Sequence, residues 1–430
     1  MKNLFSFNKG VMVVVGLILF FSLIGCSNNS SGSGDNGGGD KPVKLTLWLW
    51  TGTGLEDQIE QFNEENDDIE IDVQTSEFAA VHTNLTTALA AGSGAPDISL
   101  VEVKGINKYK TNPDNFYNLF DLGADEIAGD YLDWKWKDAQ TPDGQYQLGI
   151  PTDIGPIVMA YNKEIFEAAG LPTDRDEVSA MIQTWDDYIE LGRTIKAKTG
   201  SALSGNPSRF YSVIEGQGDQ KYYDKEGNII VKDNAQLKKA YDSAITLIEE
   251  GLTLGLDGND PEWITALQNG DFATFITPAW DTKKLTENAP DSAGKWDMTS
   301  IPGGGNMGGS YLTIPKQSEY PEEAYEFIKW ILSPEQQIVT FKKNGNFPST
   351  PSVYNDSAIT ELKSEYFNNA PVGSLFAKAA EGANFVVEGP DSISIEQSIN
   401  DAITRVVDGQ ASPEESWQMA LDEIERLQAR

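Results

Sequence analysis

The sequence predicts an α/β protein built on a parallel β-sheet with crossover helices. Within residues 44–101, segments with the two-residue period of a strand alternate with segments of helical period. Five such segments, beginning and ending with a strand, occupy fewer than sixty residues. Strands joined in this way run parallel, because each helix carries the chain back across the sheet. Ligands of such sheets bind beyond the carboxyl ends of the strands.

The first strand is Lys44–Trp50, an apolar and aromatic run that ends in a Thr-Gly-Thr-Gly turn. Leu55, Ile59 and Phe62 then recur at helical spacing, and the next strand alternates over 69–74. A second helix ends at a Gly-Ser-Gly sequence and leads into a third strand at 98–101. The predicted crevice therefore lies at residues 50–53, 76–78 and 102–105.

The rest of the chain continues to mix strands and helices. Further strands are predicted at 145–150, 157–161, 271–276 and 310–314. Three capping boxes predict helix starts at Thr184, Ser333 and Ser412, and the apolar face of the last helix predicts a docked C-terminus. The glycine-rich run 303–309 lacks the Gly-Lys-Ser/Thr ending of a phosphate loop, so it is interpreted as a turn.

The N-terminus has the pattern of a secretory leader. Lysines at 2 and 9 precede an apolar run over 10–24, which is short for a membrane span. Leu23–Cys26 resembles the lipobox of bacterial lipoproteins, which implies cleavage before Cys26 and lipidation of its thiol. A retained anchor helix is the alternative, but residues 27–40 are Ser, Asn, Gly and Asp, typical of a flexible linker. Cys26 is the only cysteine, so no disulfide forms within the chain.

Composition limits the class of protein. About 390 of the 430 residues remain after the leader and linker, which is enough for two domains. The 39% hydrophobic content can build cores. The formal net charge of −34 argues against nucleic acid and anionic lipid as partners, and it leaves a cationic ligand open.

Several motifs, taken in order, resemble the family 1 extracellular solute-binding proteins, the sugar-binding components of ATP-driven importers. They are the lipobox, KLTLWLW at 44–50, AAGSGAPDI at 90–98, GIPTDIGPIVMAYNKEIFEAAGLP at 149–172, TWDDY at 184–188, NGDFATFITPAW at 269–280, GGSYLTIPKQSE at 308–319 and PEEAYEFIKWILSPEQQ at 321–337. One departure is NGDFATFI, where the family commonly has small residues and Met.

The resemblance implies a two-lobed, periplasmic-binding-protein-like fold of type II, with hinge-linked lobes and a ligand cleft between them. It divides the chain into a signal peptide (1–25), a lipidated linker (26–43), a first lobe (44–150 plus 311–346), a second lobe (153–309 plus 350–430) and crossings (151–152, 303–310 and 347–349). It also implies a monomer without cofactor, anchored by lipid on the outer face of the cell membrane. Such a protein captures a sugar or oligosaccharide and delivers it to the permease of an ABC importer.

Sugar sites combine aromatic platforms with carboxylates and amides, because sugars present apolar ring faces and hydroxyl edges. Trp280 follows a predicted strand where the family places a stacking aromatic. Trp50 shares a strand face with Trp48, and a core position for one of these two is the alternative. The predicted ligand contacts are Trp50, Glu77, Glu102, Asp153, Trp280 and Tyr311. Four other tryptophans are assigned to packing or the rim: Trp134, Trp136, Trp263 and Trp296.

Catalytic and metal chemistry are poorly supported. His82 is the only histidine and is predicted on a helix surface, and no Cys/His cluster suits zinc. The acidic segments at 224–228 and 257–260 lack full calcium-loop spacing and are interpreted as turns. No catalytic residue, metal ligand or cofactor is therefore assigned. A lipid-tethered glycosidase, which needs only two suitably spaced carboxylates, and a binding protein for a cationic peptide or polyamine remain the alternatives.

Overall fold

The computed structural model describes residues 41–218, 220–258, 260–383 and 386–428. The predicted signal peptide, Cys26 and most of the linker lie outside these residues. The described residues from 42 to 428 belong to one compact unit. None of its described helices is both long and apolar enough to span a membrane.

The predicted alternation of the first strand is present. Leu45, Leu47 and Leu49 are at most 1% exposed, whereas the residues between them are partly accessible. The strands are β1 (Val43–Trp50), β2 (Ile69–Ser76), β3 (Ile98–Glu102), β4 (Gly149–Pro151), β5 (Ile157–Asn162), β6 (Ala202–Ser204), β7 (Phe272–Pro278), β8 (Trp296–Thr299) and β9 (Ser310–Thr313).

Helices cover both sheets and make up most of the remaining regular structure. They are α1 (Glu56–Glu65), α2 (Phe78–Ala91), α3 (Val103–Tyr109), α4 (Asp133–Asp138), α5 (Lys163–Ala168), α6 (Arg175–Met181), α7 (Trp185–Thr199), α8 (Pro207–Glu215), α9 (Ala235–Glu249), α10 (Pro261–Asn269), α11 (Asp281–Asn288), α12 (Pro321–Ile331), α13 (Pro334–Asn344), α14 (Ser357–Thr360), α15 (Val372–Glu381), α16 (Ser392–Val407) and α17 (Pro413–Gln428).

The first sheet has the order β2-β1-β3-β9-β4. β1 pairs in parallel with β2 and β3, as the sequence predicts. β9 is antiparallel to both β3 and β4, and it arrives from far along the chain. The sheet is therefore mixed, with a parallel half made locally and a second half completed by a distant strand.

The second sheet has the order β6-β7-β5-β8. β5 is antiparallel to β7 and β8, and β6 is parallel to β7. Every residue of β5, β7 and β8 is buried, because helices cover both faces. The C-terminal α17 packs into the same core through Trp417 and Leu421, so the predicted docking of the C-terminus is confirmed.

Three neighbouring segments connect the two sheets. The segment after β4 bonds to the first residue of β9, where the second connecting segment ends, through Thr152 N–H and the Ser310 carbonyl, 2.9 Å apart. It bonds to the segment after α13 through Ile154 N–H and the Phe347 carbonyl, also 2.9 Å apart. The junction is therefore a small hydrogen-bonded layer rather than three independent loops.

Two of the predicted capping boxes form in full, at Thr184 with Asp187 and at Ser412 with Glu415. At Ser333 only half forms: its hydroxyl accepts from Gln336 N–H. The Gln336 side chain instead accepts from the Gln58 amide at 2.7 Å. A contact across the fold has replaced the local one there.

Candidate ligand-binding cleft

A cavity of about 600 Å³ lies between the ends of the two sheets. One wall comes from the carboxyl ends of β1 and β3 and the start of α2, and the other from the end of β7 and the start of α11. The connecting segments form part of its lining. The position is the one predicted from the ends of the parallel strands, and the volume is in the usual range for small-molecule sites.

Three aromatic rings form a cluster on the first wall. The half-buried Trp50 indole packs edge-on against Phe78 at a centroid distance of 5.1 Å. It stacks on the His82 imidazole at 5.5 Å. Phe78 also contacts His82 at 4.7 Å. We call Trp50, Phe78 and His82 the aromatic cluster.

His82 is not the surface residue that the sequence predicts. Its Nδ1 lies 2.9 Å from the Phe78 carbonyl, and its Nε2 lies 3.1 Å from Glu102 N–H. Nε2 accepts from that N–H, so Nδ1 carries the proton and donates to the carbonyl. Gly105 makes room for the ring, because a Cβ there would lie 3.2 Å from the imidazole. Burial lowers the pKa of His82, in keeping with this neutral form.

Glu102 ends β3 and caps α3. Its Oε2 accepts from Lys104 N–H at 2.7 Å, an N-cap bond. Burial raises the pKa of Glu102 to about 6, although the Lys104 charge and that N–H act in the opposite direction. The wall therefore carries a carboxyl group that changes charge near neutral pH.

Trp280 forms the opposite wall, directly after β7 and at the cap position of α11. Its indole lies against Gly155, where any side chain would overlap the six-membered ring. Asp281 also lines the cavity, and its carboxylate accepts from Arg209 at 3.1 Å. The predicted tryptophan is thus in the cavity, with its ring fixed by a close backbone contact.

Asp153 lines the cavity but directs its carboxylate into the junction between the sheets. Oδ1 accepts from Ser310 N–H at 3.0 Å and from the Thr152 hydroxyl. Oδ2 accepts from the Asn346 amide at 3.0 Å. The Asp153 side chain, which is 5% exposed, therefore bonds to all three connecting segments. Its prediction as a ligand contact stays a prediction.

Tyr311 and Glu77 are not brought to the cavity. Tyr311 is fully buried on β9, where its hydroxyl donates to Asp138 at 2.6 Å and the buried Lys135 ammonium lies 4.0 Å from its ring. Glu77 is exposed at the cap of α2, and only the next residue lines the cavity. Both assignments rested on nearness to a strand end, which does not specify on which side of the backbone a side chain lies.

The other predicted tryptophans behave as packing residues. Trp136, Trp263 and Trp296 are 5, 8 and 0% exposed, and Trp134 packs against the apolar core that contains Trp263 and Trp296. No cluster of His, Cys, Asp and Glu side chains suited to a metal ion occurs among residues 41–428 as far as the structure describes them.

The structure adds residues that sequence reasoning missed, including Phe78, Lys283 and Asn344. Phe78 falls within a strand end that the sequence identified, so its aromatic character was an available signal. Asn344 Nδ2 donates to the Gly52 carbonyl at 2.7 Å, a contact between positions 292 residues apart that no local pattern indicates.

A family model for bacterial extracellular solute-binding proteins matches residues 51–338. The chain belongs to this family. This solute-binding protein is 29% identical over 307 residues to the arabinooligosaccharide-binding protein of Halalkalibacterium halodurans, covering 67% of each chain. It is 30% identical over 320 residues to the lactose-binding protein of Rhizobium radiobacter, covering 69% of this chain and 73% of that one.

A solved structure of an extracellular solute-binding protein of family 1 superposes on this solute-binding protein with a TM-score of 0.85 at 37% identity. The match covers 90% of this chain and 99% of that one. The predicted two-lobed α/β fold and the family resemblance are confirmed. Because these relatives are binding proteins, the prediction of a binding protein rather than an enzyme is also confirmed.

Proposed function

We propose that this protein captures an oligosaccharide in the cleft between its two sheets and delivers it to the permease of an ABC importer. The observation that carries the proposal is a cavity with a tryptophan on each wall, Trp50 from the first sheet and Trp280 from the second. A sugar ring held between two aromatic surfaces buries its apolar faces. The names of the related arabinooligosaccharide- and lactose-binding proteins support the same class of ligand.

Polar groups around the two rings suit sugar hydroxyls. Glu102 has a carboxylate oxygen in addition to the one that caps α3, and Lys283 and Asn344 add a cation and an amide at the cavity. A hydroxyl both donates and accepts, so acids, amides and ammonium groups can all pair with it. We infer that Trp50, Glu102 and Trp280 contact the sugar and that Asp153 acts through the junction.

The charges favour a neutral ligand over a cation. Four acidic residues line the cavity, but three have partners: Asp153 in the junction, Asp281 with Arg209, and Glu287 with Lys283 at 3.7 Å. Glu102 alone does not present a strongly anionic surface. A cationic peptide or polyamine would require several uncompensated carboxylates.

The lobe division predicted from the sequence fits this function. Because the walls belong to different sheets, a ligand that touches both favours the closed arrangement of the lobes. We further propose that Cys26 is lipidated and that the mature protein is tethered, as a monomer, on the outer face of the membrane. Mass spectrometry of protein from the native membrane would detect diacylglyceryl-Cys26, and an unmodified Cys26 would refute the anchor.

Calorimetric titration of the purified full chain with arabinooligosaccharides, lactose and spermidine tests the ligand class. We expect saturable binding of a sugar, no binding of spermidine and unchanged sugar by chromatography. Binding of spermidine alone would replace the proposal with the polyamine alternative. Sugar cleavage that is lost with Glu102→Gln would contradict a purely binding role.

A further inference from the structure

The rim of the cleft carries an exposed aromatic ring. Phe78 is 49% exposed, although it also lines the cavity. Six large apolar side chains of the described residues are comparably exposed: Phe78, Leu254, Tyr320, Val339, Ile393 and Met419. Only Phe78 among them lines the cavity, so its ring belongs both to the cavity wall and to the exposed surface.

The Phe78 ring packs against two neighbouring rings in this position. It lies edge-on to Trp50, with an interplanar angle of 67°, and it contacts His82. The His82 imidazole donates to the Phe78 carbonyl, which also anchors the backbone. An aromatic group that is already held in place loses little freedom when a ligand covers it.

The neighbouring rings form a series from the interior outwards. Trp50 is half-buried within the wall, and Phe78 is the more exposed member of the pair. A phenyl ring has no hydrogen-bonding group, so it can only cover an apolar surface such as the face of a sugar ring. A short ligand that occupies Trp50 leaves Phe78 exposed, whereas a longer one covers both.

We infer that Phe78 is a stacking surface for an outer unit of a neutral linear oligosaccharide and makes the protein selective for chain length. This inference rests on the proposed sugar-binding function. It assigns Trp50 and Trp280 to inner units and Phe78 to the unit that leaves the cleft. The expected behaviour is affinity that rises with each added unit until Phe78 is covered.

The test is calorimetric titration of the full chain, its Phe78→Ala variant and its Phe78→Tyr variant with arabinose and with arabinooligosaccharides of two to four units, together with lactose. Phe78→Ala should bind the longest ligands about tenfold more weakly and the shortest ones unchanged. Phe78→Tyr should retain wild-type affinities because it keeps the ring. Met419→Ala, which removes an equally exposed side chain on α17, is the matched control and should alter nothing.

The possible failures are distinguishable. Equal losses for all lengths would show that Phe78 only supports Trp50, and unchanged affinities would show that it is not a contact; either result overturns the inference while sugar binding stands. A wild-type chain that binds neither the arabinose series nor lactose overturns the proposed function and this inference together. Melting temperatures of the variants verify that each one folds.

Discussion

Trp280 combines partial exposure with a fixed orientation, and this allows binding to be separated from folding. Its ring contributes to the cavity wall and belongs to none of the hydrophobic cores of the described residues. Trp280→Ala should therefore weaken oligosaccharide binding by about tenfold to a hundredfold. We expect the stability of the ligand-free protein to change little. Calorimetric titration and thermal melting measure the two effects.

Trp48→Ala is the matched control for this substitution. Trp48 is a half-buried tryptophan whose indole N–H donates to Gln74 at 2.9 Å, and it does not line the cavity. Its loss should lower the melting temperature without altering affinity. A Trp280→Ala variant with normal affinity and a collapsed melting temperature would place Trp280 in the core instead.

Glu102 should make binding depend on pH. The pKa of Glu102 is raised from its ordinary value of 4.5 to about 6. The protonated form therefore stabilises the folded protein; this stabilisation is complete below pH 4.5 and is lost as pH rises through 6. Sugar hydroxyls donate best to the ionised carboxylate, so affinity should fall as pH is lowered from 7.5 to 5. Glu102→Gln should bind about tenfold more weakly and show no such slope. An equally steep slope in that variant would assign the effect to another group.

The sequence patterns placed some of these residues at the cavity and misplaced others, for a physical reason. Trp50, Glu102 and Trp280 lie at strand ends with their side chains on the cavity side. Tyr311 lies on β9 of the first sheet, as Trp50 and Glu102 lie on β1 and β3, but the alternation of side chains places Tyr311 in the core. His82 was misjudged because its role depends on Trp50 and Glu102, which only the folded sheet brings next to it.

At the scale of the structural elements, the three connecting segments are held together by hydrogen bonds to the side chain of Asp153. Asp153→Ala would leave the buried Ser310 N–H without its partner and would release Thr152 and Asn346. We expect a loss of about 2–3 kcal/mol in the free energy of unfolding. Sugar affinity should fall by the same factor for every chain length, because the segments position both walls. Urea unfolding and titration provide the measurements.

Asp143 offers a control with similar bonds in an exposed turn. It accepts from the Thr141 hydroxyl at 2.6 Å and from Gln145 N–H at 3.1 Å. Because water can replace these bonds, Asp143→Ala should lower the free energy of unfolding much less than Asp153→Ala does. Equal losses for the two variants would contradict a special role for Asp153 in the junction.

Elements with a clear period were predicted well, and two short buried strands were missed. β1 and β2, the crossover helix α1 and the parallel pairing agree with the sequence patterns because their faces differ in polarity. β6 and β8 were missed, since strands of three and four residues that are buried throughout carry no alternation. The pairing of β9 between β3 and β4 follows from the whole fold rather than from its own residues.

At the scale of the molecule, an ion pair links two helices that pack against different sheets. Lys104 on α3 pairs with Glu396 on α16, and their side chains are 30% and 14% exposed. Burial alone would raise the pKa of Glu396, but Lys104 and Lys221 outweigh it and lower that pKa to about 2. Lys104→Met should destabilise the protein by about 2–3 kcal/mol, because it leaves a poorly solvated carboxylate.

The stabilisation from Glu396 should be present above its ordinary pKa of 4.5 and lost as pH falls towards 2. Urea unfolding of the wild type and of Lys104→Met should therefore converge across that interval. Lys44→Met removes an exposed pair with Glu70 and should cost no more than about 1 kcal/mol at any pH. A constant difference between the wild type and Lys104→Met would exclude Glu396 as its source.

The position of β9 also constrains the order in which the chain can fold. β4 reaches the rest of its sheet only through β9, yet residues 157–309, with the whole second sheet, are made in between. A chain that emerges from its N-terminus can pair β1, β2 and β3 early, but the edge of β3 stays open until residue 313 has emerged. An open strand edge invites association with other chains. Chains truncated shortly before Ser310 should therefore aggregate more readily than chains that end after Thr313.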